Sequence, residues 1–355
     1  MKRPIQAIKH VMPLLALMAM GCVALAQGSQ STVPAPMGVP VPGPDAGKPY
    51  APQPILPGGI VMTLFPPSSP YLHTARVHEP EEYNMEPGVP GRISSVVNIH
   101  NPSIEMHFTA PHLNTGAAII LIAGGGHTTL NVGYEGADFV PFFFNYGINT
   151  IIIRSRLRRD GYDPKTDEVY DVQQAIRMVR AHAKEWHIDP NKIGIMGFSA
   201  GAELAMAAAI SYDEFDARNK AAGDPLAGIS SRPDFVGSIY PGPSLFTRGG
   251  THAIPKDAPP TFIACAGWGD QNHATWSDEY FAAMLKAGVP NVEMHIYARG
   301  QHAGALTYRN FTAFGTWQDR FIDWSRDLGF FSKPGVVTQA ALDVAAFKNA
   351  PPPKP

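Results

Sequence analysis

The chain has little cysteine: Cys22 and Cys265 are the only two among 355 residues. A disulfide framework of the kind that staples small exported domains is thereby excluded, so stability has to come from a packed core. Cys265 ends the apolar run Pro260-Thr261-Phe262-Ile263-Ala264-Cys265, which reads as a buried strand, and an inert core thiol is expected there. Charge of one sign is also lacking. With 28 Lys and Arg against 30 Asp and Glu the formal net charge is −2, without the basic footprint of a nucleic-acid binder. The 13 histidines form no H-E-x-x-H or comparable ligand spacing, so no metal and no other cofactor is expected. Internal repeats are absent. The apolar stretch Val11 to Val23 falls short of the roughly 20 residues that a membrane-spanning helix needs.

That stretch fits an export signal. Lys2, Arg3 and Lys9 precede it, and the small-residue site Ala24-Leu25-Ala26 follows, so residues 1–26 are expected to be a signal peptide directing the chain to the periplasm or the outside. No integral membrane span would remain after processing. A competing reading takes Ala19-Met20-Gly21-Cys22 as a lipoprotein site with Cys22 acylated. From Val33 to Gly59 proline recurs every few residues, and Pro351-Pro352-Pro353 lies near the end. Residues 27–60 are read as an extended linker, 336–355 as a tail, and 61–335 as one domain.

Within that domain strand and helix signals alternate. Ile93 to Ile99 and Ile104 to Phe108 suggest an opening antiparallel pair, and Ala117 to Ile122 and Thr150 to Ile153 are continuous apolar runs suited to strands buried on both faces. Val169, Val172, Ile176, Val179 and Ala183 make one helical stripe, and Phe314, Trp317, Phe321, Trp324 and Leu328 another. Ser277 is read as the cap of a helix that stops at Gly288, before a strand from Val292 to Tyr297. Such alternation calls for an α/β class with a parallel sheet covered on both sides.

Gly197-Phe198-Ser199-Ala200-Gly201 follows an apolar strand run and precedes a helix-forming run. Strand, tight turn and helix with Ser at the apex make a nucleophile elbow, so Ser199 is the candidate nucleophile. Acyl transfer through such a serine also needs backbone donors for an oxyanion. Ala123-Gly124-Gly125-Gly126-His127 directly follows the Ile119 to Ile122 strand, and the amides of Gly125, Gly126 and Ala200 are the expected donors. His127 is expected to line the mouth of the pocket and contact substrate. The acid should leave a later strand, and Asp270 in Ala266-Gly267-Trp268-Gly269-Asp270 does so. The base should follow the last strand, where Arg299-Gly300-Gln301-His302 stands. Chain order is then Ser199, Asp270, His302, with His302 passing the proton between serine and leaving group. His273 and His295 are read as structural or pocket residues, and Glu203 as a helix-surface carboxylate.

With these residues assembled, the chain resembles the α/β-hydrolase superfamily, and within it the secreted acetylxylan or feruloyl-type carbohydrate esterases. The resemblance rests on Gly124-Gly125-Gly126, Glu135-Gly136, Gly147-Ile148, Ser155-Arg156-Leu157, Asp171-Val172, Ile188-Asp189-Pro190 through Gly201, Ser230 to Phe235, and Tyr240-Pro241-Gly242. It implies the α/β-hydrolase fold, a mostly parallel sheet of about eight strands with helices on both faces. It also implies a serine carboxylesterase for short acyl esters of plant polysaccharide, with no cofactor. Ala123, His127, Ser155 and Ala202-Glu203 depart from the pattern where the family carries Pro, Tyr, Tyr and Gly-His, which touches substrate choice rather than chemistry. Three other readings stand beside this one: an esterase or lipase of small esters, a prolyl-oligopeptidase-type peptidase, and a non-catalytic carbohydrate-binding homologue. The peptidase would expect an N-terminal propeller where this chain has a proline-rich linker. The oligomeric state is left open.

Overall fold

The computed structural model describes residues 48–244, 252–306, 313–333, 337 and 339–348. The expected signal peptide with Cys22, most of the linker and the end of the tail lie outside the described residues, while residues 339–348 of the tail form a helix. Ten strands form among them: β1 (Ile60–Thr63), β2 (Glu82–Met85), β3 (Ile93–Val97), β4 (Ser103–His107), β5 (Ala118–Ile122), β6 (Asn149–Arg154), β7 (Ile193–Phe198), β8 (Phe235–Ile239), β9 (Thr261–Trp268) and β10 (Glu293–Arg299). Helices α1 (Phe139–Asn145), α2 (Val169–Ala181), α3 (Ala200–Ile210), α4 (Tyr212–Ala221), α5 (Gln271–Lys286) and α6 (Trp317–Asp327) connect or follow them.

Eight strands make one sheet in the order β1-β4-β6-β5-β7-β8-β9-β10. Pairings from β6 to β10 are parallel, while β4 is antiparallel to both β1 and β6. The expected α/β-hydrolase architecture is what forms. Every residue of β5 through β8 is buried, because helices cover both faces. On one face α2 and α3 press Val172, Ile176, Leu204 and Ala208 against Ile120, Ile151 and Ile195, and α5 covers Ile263 further along. On the other face α1 and α6 set Phe139, Phe143, Trp317 and Phe321 against Leu121, Met196 and Phe262. Full burial of each such side chain stabilises by about 1.5–3 kcal/mol. Cys265 lies fully buried among them, and burial pushes its thiol up to about 11, which keeps it unreactive.

Two local expectations need correction. The run 93–99 does not pair with 104–108: β3 joins β2 in a separate two-stranded sheet, and β4 enters the large sheet. The chain between them turns away at Asn98, with φ 58, and His100 is buried with Nδ1 2.7 Å from the Tyr162 hydroxyl, so no tight hairpin can form. Second, α5 starts at Gln271, not at Ser277, whose hydroxyl donates to the His273 carbonyl one turn back at 2.7 Å. A serine inside a helix can satisfy itself this way as well as by capping.

Upstream of β1 the proline-rich segment packs onto the sheet. Tyr50 and Ile55 are buried. The amides of Ile55 and Leu56 donate to the buried Glu105 carboxylate at 2.6 and 2.9 Å, and the Gln53 carbonyl accepts from the buried Arg154 guanidinium at 2.7 Å.

Candidate active site

The turn from β7 into α3 places Ser199 at φ 52, ψ −120, a backbone conformation that L side chains rarely adopt. The surrounding glycines make it attainable. A Cβ on Gly197 would lie 2.2 Å from the Gly201 carbonyl, and one on Gly201 would lie 2.0 Å from the Ile122 carbonyl. The Ser199 amide donates to the Ile239 carbonyl of β8 at 3.0 Å, and the Ser199 carbonyl accepts from Ala202 and Glu203. The serine is thus held from both sides.

Ser199 Oγ lies 2.9 Å from His302 Nε2, and His302 Nδ1 lies 3.0 Å from Asp270 Oδ2. The three side chains that the sequence nominates come from the carboxyl ends of β7, β9 and β10 and meet in one hydrogen-bonded line. Burial pushes the Asp270 carboxyl up, but hydrogen bonds from His273 and His302 outweigh it and hold the group below the usual carboxylate range. It is a fixed negative charge behind the imidazole.

A further side chain joins them, one read from the sequence as a structural or pocket residue. His273 Nδ1 lies 2.5 Å from Asp270 Oδ1, and its ring stacks on that of His302 with centroids 3.8 Å apart and planes 21° from parallel. The signal is Asp270-x-x-His273 in the first turn of α5, concealed by placing the helix start too late. His295 stays apart on β10, bonded to Glu293 at 2.7 Å.

The glycine loop crosses directly over the elbow. A Cβ on Gly124 would lie 2.8 Å from Ser199 Cβ, and Gly125 has φ 133 with a Cβ that would meet the Thr129 carbonyl at 2.1 Å. Only glycine fits either place. The Gly124 amide is not free for substrate, since it donates to Glu135 Oε2 at 2.7 Å, and Glu135 Oε1 accepts from the Tyr240 hydroxyl at 2.8 Å. Glu135 is fully buried, and burial pushes its carboxyl up; burial first, and the neighbouring Glu135 after it, hold the Tyr240 phenol well above its ordinary range. The Tyr240 ring lies 5.1 Å from that of His302, so one buried carboxyl links the glycine loop to the wall behind His302. The Ala200 amide, first in α3, has no carbonyl one turn back in the helix and is left for another acceptor.

His127, at φ 59, is buried between two carboxylates. Its Nδ1 is 2.6 Å from Glu168 Oε2 and its Nε2 is 3.4 Å from Glu203 Oε2. Glu203 is therefore not a helix-surface residue. Its side chain is 12% exposed, because α3 is packed against the sheet almost all round and Gly242 leaves room only by lacking a Cβ, which would sit 1.8 Å from Glu203 Oε1. Desolvation lowers the His127 pKa, but the two glutamates raise it further, to about 9. The sign of its linkage follows. A raised imidazole stabilises the fold fully below about pH 6.5 and loses that contribution as pH rises through about 9, a difference on the order of 2–3 kcal/mol. We expect the melting temperature of the wild type to fall between pH 7 and pH 10 by about 5–10 °C more than that of His127→Asn, a residue that tolerates positive φ. Parallel melting curves for the two proteins across that range would exclude the ion pair.

Comparison with known proteins finds esterases among those similar to this chain. The BD-FAE family model matches residues 106–229. An acetylxylan esterase from Xylanibacter ruminicola is 30% identical over 255 residues, which cover 68% of this chain and 50% of that protein; the chain thus spans about half the length of that relative. The crystal structure of an acetyl ester-xyloside bifunctional hydrolase from Caldicellulosiruptor lactoaceticus is similar with a TM-score of 0.56 and 26% identity, over 65% of this chain and 89% of that one. Esterase 2 from Thermogutta terrifontis shares the fold with a TM-score of 0.57 at 19% identity, over 79% of this chain and 96% of that one.

Proposed function

We propose that this α/β hydrolase, whose residues 106–229 carry the BD-FAE domain, is a serine carboxylesterase that removes short acyl groups, acetyl or feruloyl, from plant polysaccharide. The observation that carries the chemistry is the line Ser199, His302, Asp270, at 2.9 and 3.0 Å, on a strained elbow beneath a glycine loop. Ser199 Oγ attacks the ester carbonyl carbon while His302 Nε2 takes its proton, and the resulting oxyanion is received by the amides of Gly125, Gly126 and Ala200. Collapse expels the alcohol, which leaves with the proton from His302. Water, deprotonated by the same imidazole, then attacks the acyl-enzyme and releases the acid. Asp270 keeps the Nδ1 proton of His302 in place and balances the imidazolium without taking the proton itself.

The substrate class is supported by the relatives, an acetylxylan esterase and an acetyl ester-xyloside hydrolase. Residues 1–26 are read as an export signal, or as a lipoprotein leader ending at Cys22, so the substrate would be met outside the cytoplasm. Among the described residues no helix is long and apolar enough to cross a membrane.

The test is hydrolysis of 4-nitrophenyl esters from acetyl to decanoyl beside release of acetic and ferulic acid from native acetylated xylan. We expect kcat/KM to fall at least about tenfold from acetyl to octanoyl, with acid released from xylan. Hydrolysis of the small esters with none from xylan would keep the chemistry and remove the polysaccharide.

A further inference from the structure

Asp270 is shared. Each of its two oxygens faces the Nδ1 of a different histidine, and one ligand atom from each of Asp270, His273 and His302 can be chosen so that all three lie within 4.8 Å of one another. His273 is not needed by the hydrolysis outlined above, yet it lies with its ring flat against the base. The carboxylate is buried, whereas the His273 and His302 side chains are 19% and 35% exposed, so the cluster has a solid floor and an open side.

We infer that Asp270, His273 and His302 form a binding site for a borderline-soft divalent cation, Zn²⁺, and that occupation of this site switches the hydrolase off. Two imidazole nitrogens and one carboxylate oxygen are a donor set suited to zinc or copper and not to magnesium or calcium. Zinc bonds of about 2.0–2.1 Å hold tetrahedral ligand atoms about 3.3 Å apart, so the two stacked rings have to splay, the more exposed His302 or His273 side chain turning until both Nδ1 lone pairs point at one ion, with the fourth position open to water. Binding needs a lone pair on Nδ1 of each ring. A neutral His302 that gives Nδ1 to the metal carries its one proton on Nε2, the atom 2.9 Å from Ser199 Oγ. That tautomer donates to the serine and cannot accept from it, so the nucleophile keeps its proton. In each neutral ring the proton moves from Nδ1 to Nε2 as the metal binds, so none is exchanged with solvent.

The inhibitory half of this inference rests on the proposed role of His302, and the binding half does not. The experiment therefore reads both: zinc binding by isothermal titration calorimetry on the EDTA-treated, dialysed full chain, and hydrolysis of 4-nitrophenyl acetate under zinc chloride, for wild type and His273→Asn. Asparagine places an amide donor near the Nδ1 position, and each variant is compared with its own zinc-free rate. In the wild type we expect zinc to bind, to abolish most hydrolysis, and to be reversed by EDTA, with no effect of magnesium chloride. In His273→Asn the half-inhibiting zinc concentration rises about 10- to 100-fold, the loss that even a ligand's supporting partner typically causes. Equal inhibition of the two proteins, or no zinc binding by the wild type, overturns the site. Zinc bound more weakly by the variant, with neither protein hydrolysing esters, upholds the site and removes the esterase reading. If His273→Asn does not fold, His273→Gln serves for the same comparison.

Discussion

Ser199→Ala is expected to lower kcat for 4-nitrophenyl acetate by about 10⁶-fold, about 8 kcal/mol of barrier, with the melting temperature within about 3 °C of wild type. The size of the loss follows from the division of labour. Among the described residues Ser199 carries the hydroxyl bonded to His302 Nε2, so its removal closes the covalent route and leaves only water attack beneath the glycine loop. The small effect on folding has a separate cause. The unusual backbone at Ser199 is held by the Ile239 carbonyl and by the absence of side chains at Gly197 and Gly201, none of which involves Oγ. Alanine carries the same Cβ and the same strain, and gives up one partly exposed hydrogen bond worth about 1 kcal/mol. Hydrolysis within tenfold of wild type would remove Ser199 as nucleophile and the mechanism with it.

Asp270→Ala is expected to cost about 10⁴-fold in kcat/KM, because the imidazole loses the partner that sets its tautomer and balances its charge. Asp270→Asn should cost distinctly less here, about 10²- to 10³-fold on that scale. Where the far oxygen of such an acid is bound by fixed backbone donors, asparagine must turn its amide nitrogen toward the histidine and impose the wrong tautomer. In this chain the far oxygen faces His273, which can accept as well as donate. Asparagine can thus offer its oxygen to His302 and its nitrogen to His273, losing the charge but keeping the geometry. Measured kcat/KM values that place Asn at or below Ala would contradict this use of His273, and an Ala variant near wild type would remove Asp270 as the acid.

What could be read from the sequence was whatever ends a strand. Ser199, Asp270 and His302 each follow an apolar run and a glycine, so strand periodicity alone put them at one end of one sheet. Pairing between strands was less legible. The segments 93–99 and 104–108 are both apolar and close in sequence, and nothing in their composition says that His100 will bury itself against Tyr162 and send them to different sheets. Polar contacts across the fold were least legible of all. Glu203 looks solvated on any helical wheel drawn for α3 alone, and its burial against His127 depends on a loop 76 residues away. Glu135 could be seen only as part of a resemblance, while its bonds to Gly124 and Tyr240 need the connection after β5 to fold back on itself and meet the one after β8.

The segment ahead of β1 has a practical consequence for handling the protein. Glu105 and Arg154 have no exposure, and part of what they bond to is the backbone of Gln53, Ile55 and Leu56. Trimming the chain back to the first strand would strip donors and an acceptor from polar groups that water cannot reach, a change that typically costs several kcal/mol. Affinity tags, protease sites and fusion partners therefore belong upstream of Lys48, and a hydrolase core grafted into another protein has to bring this clasp with it.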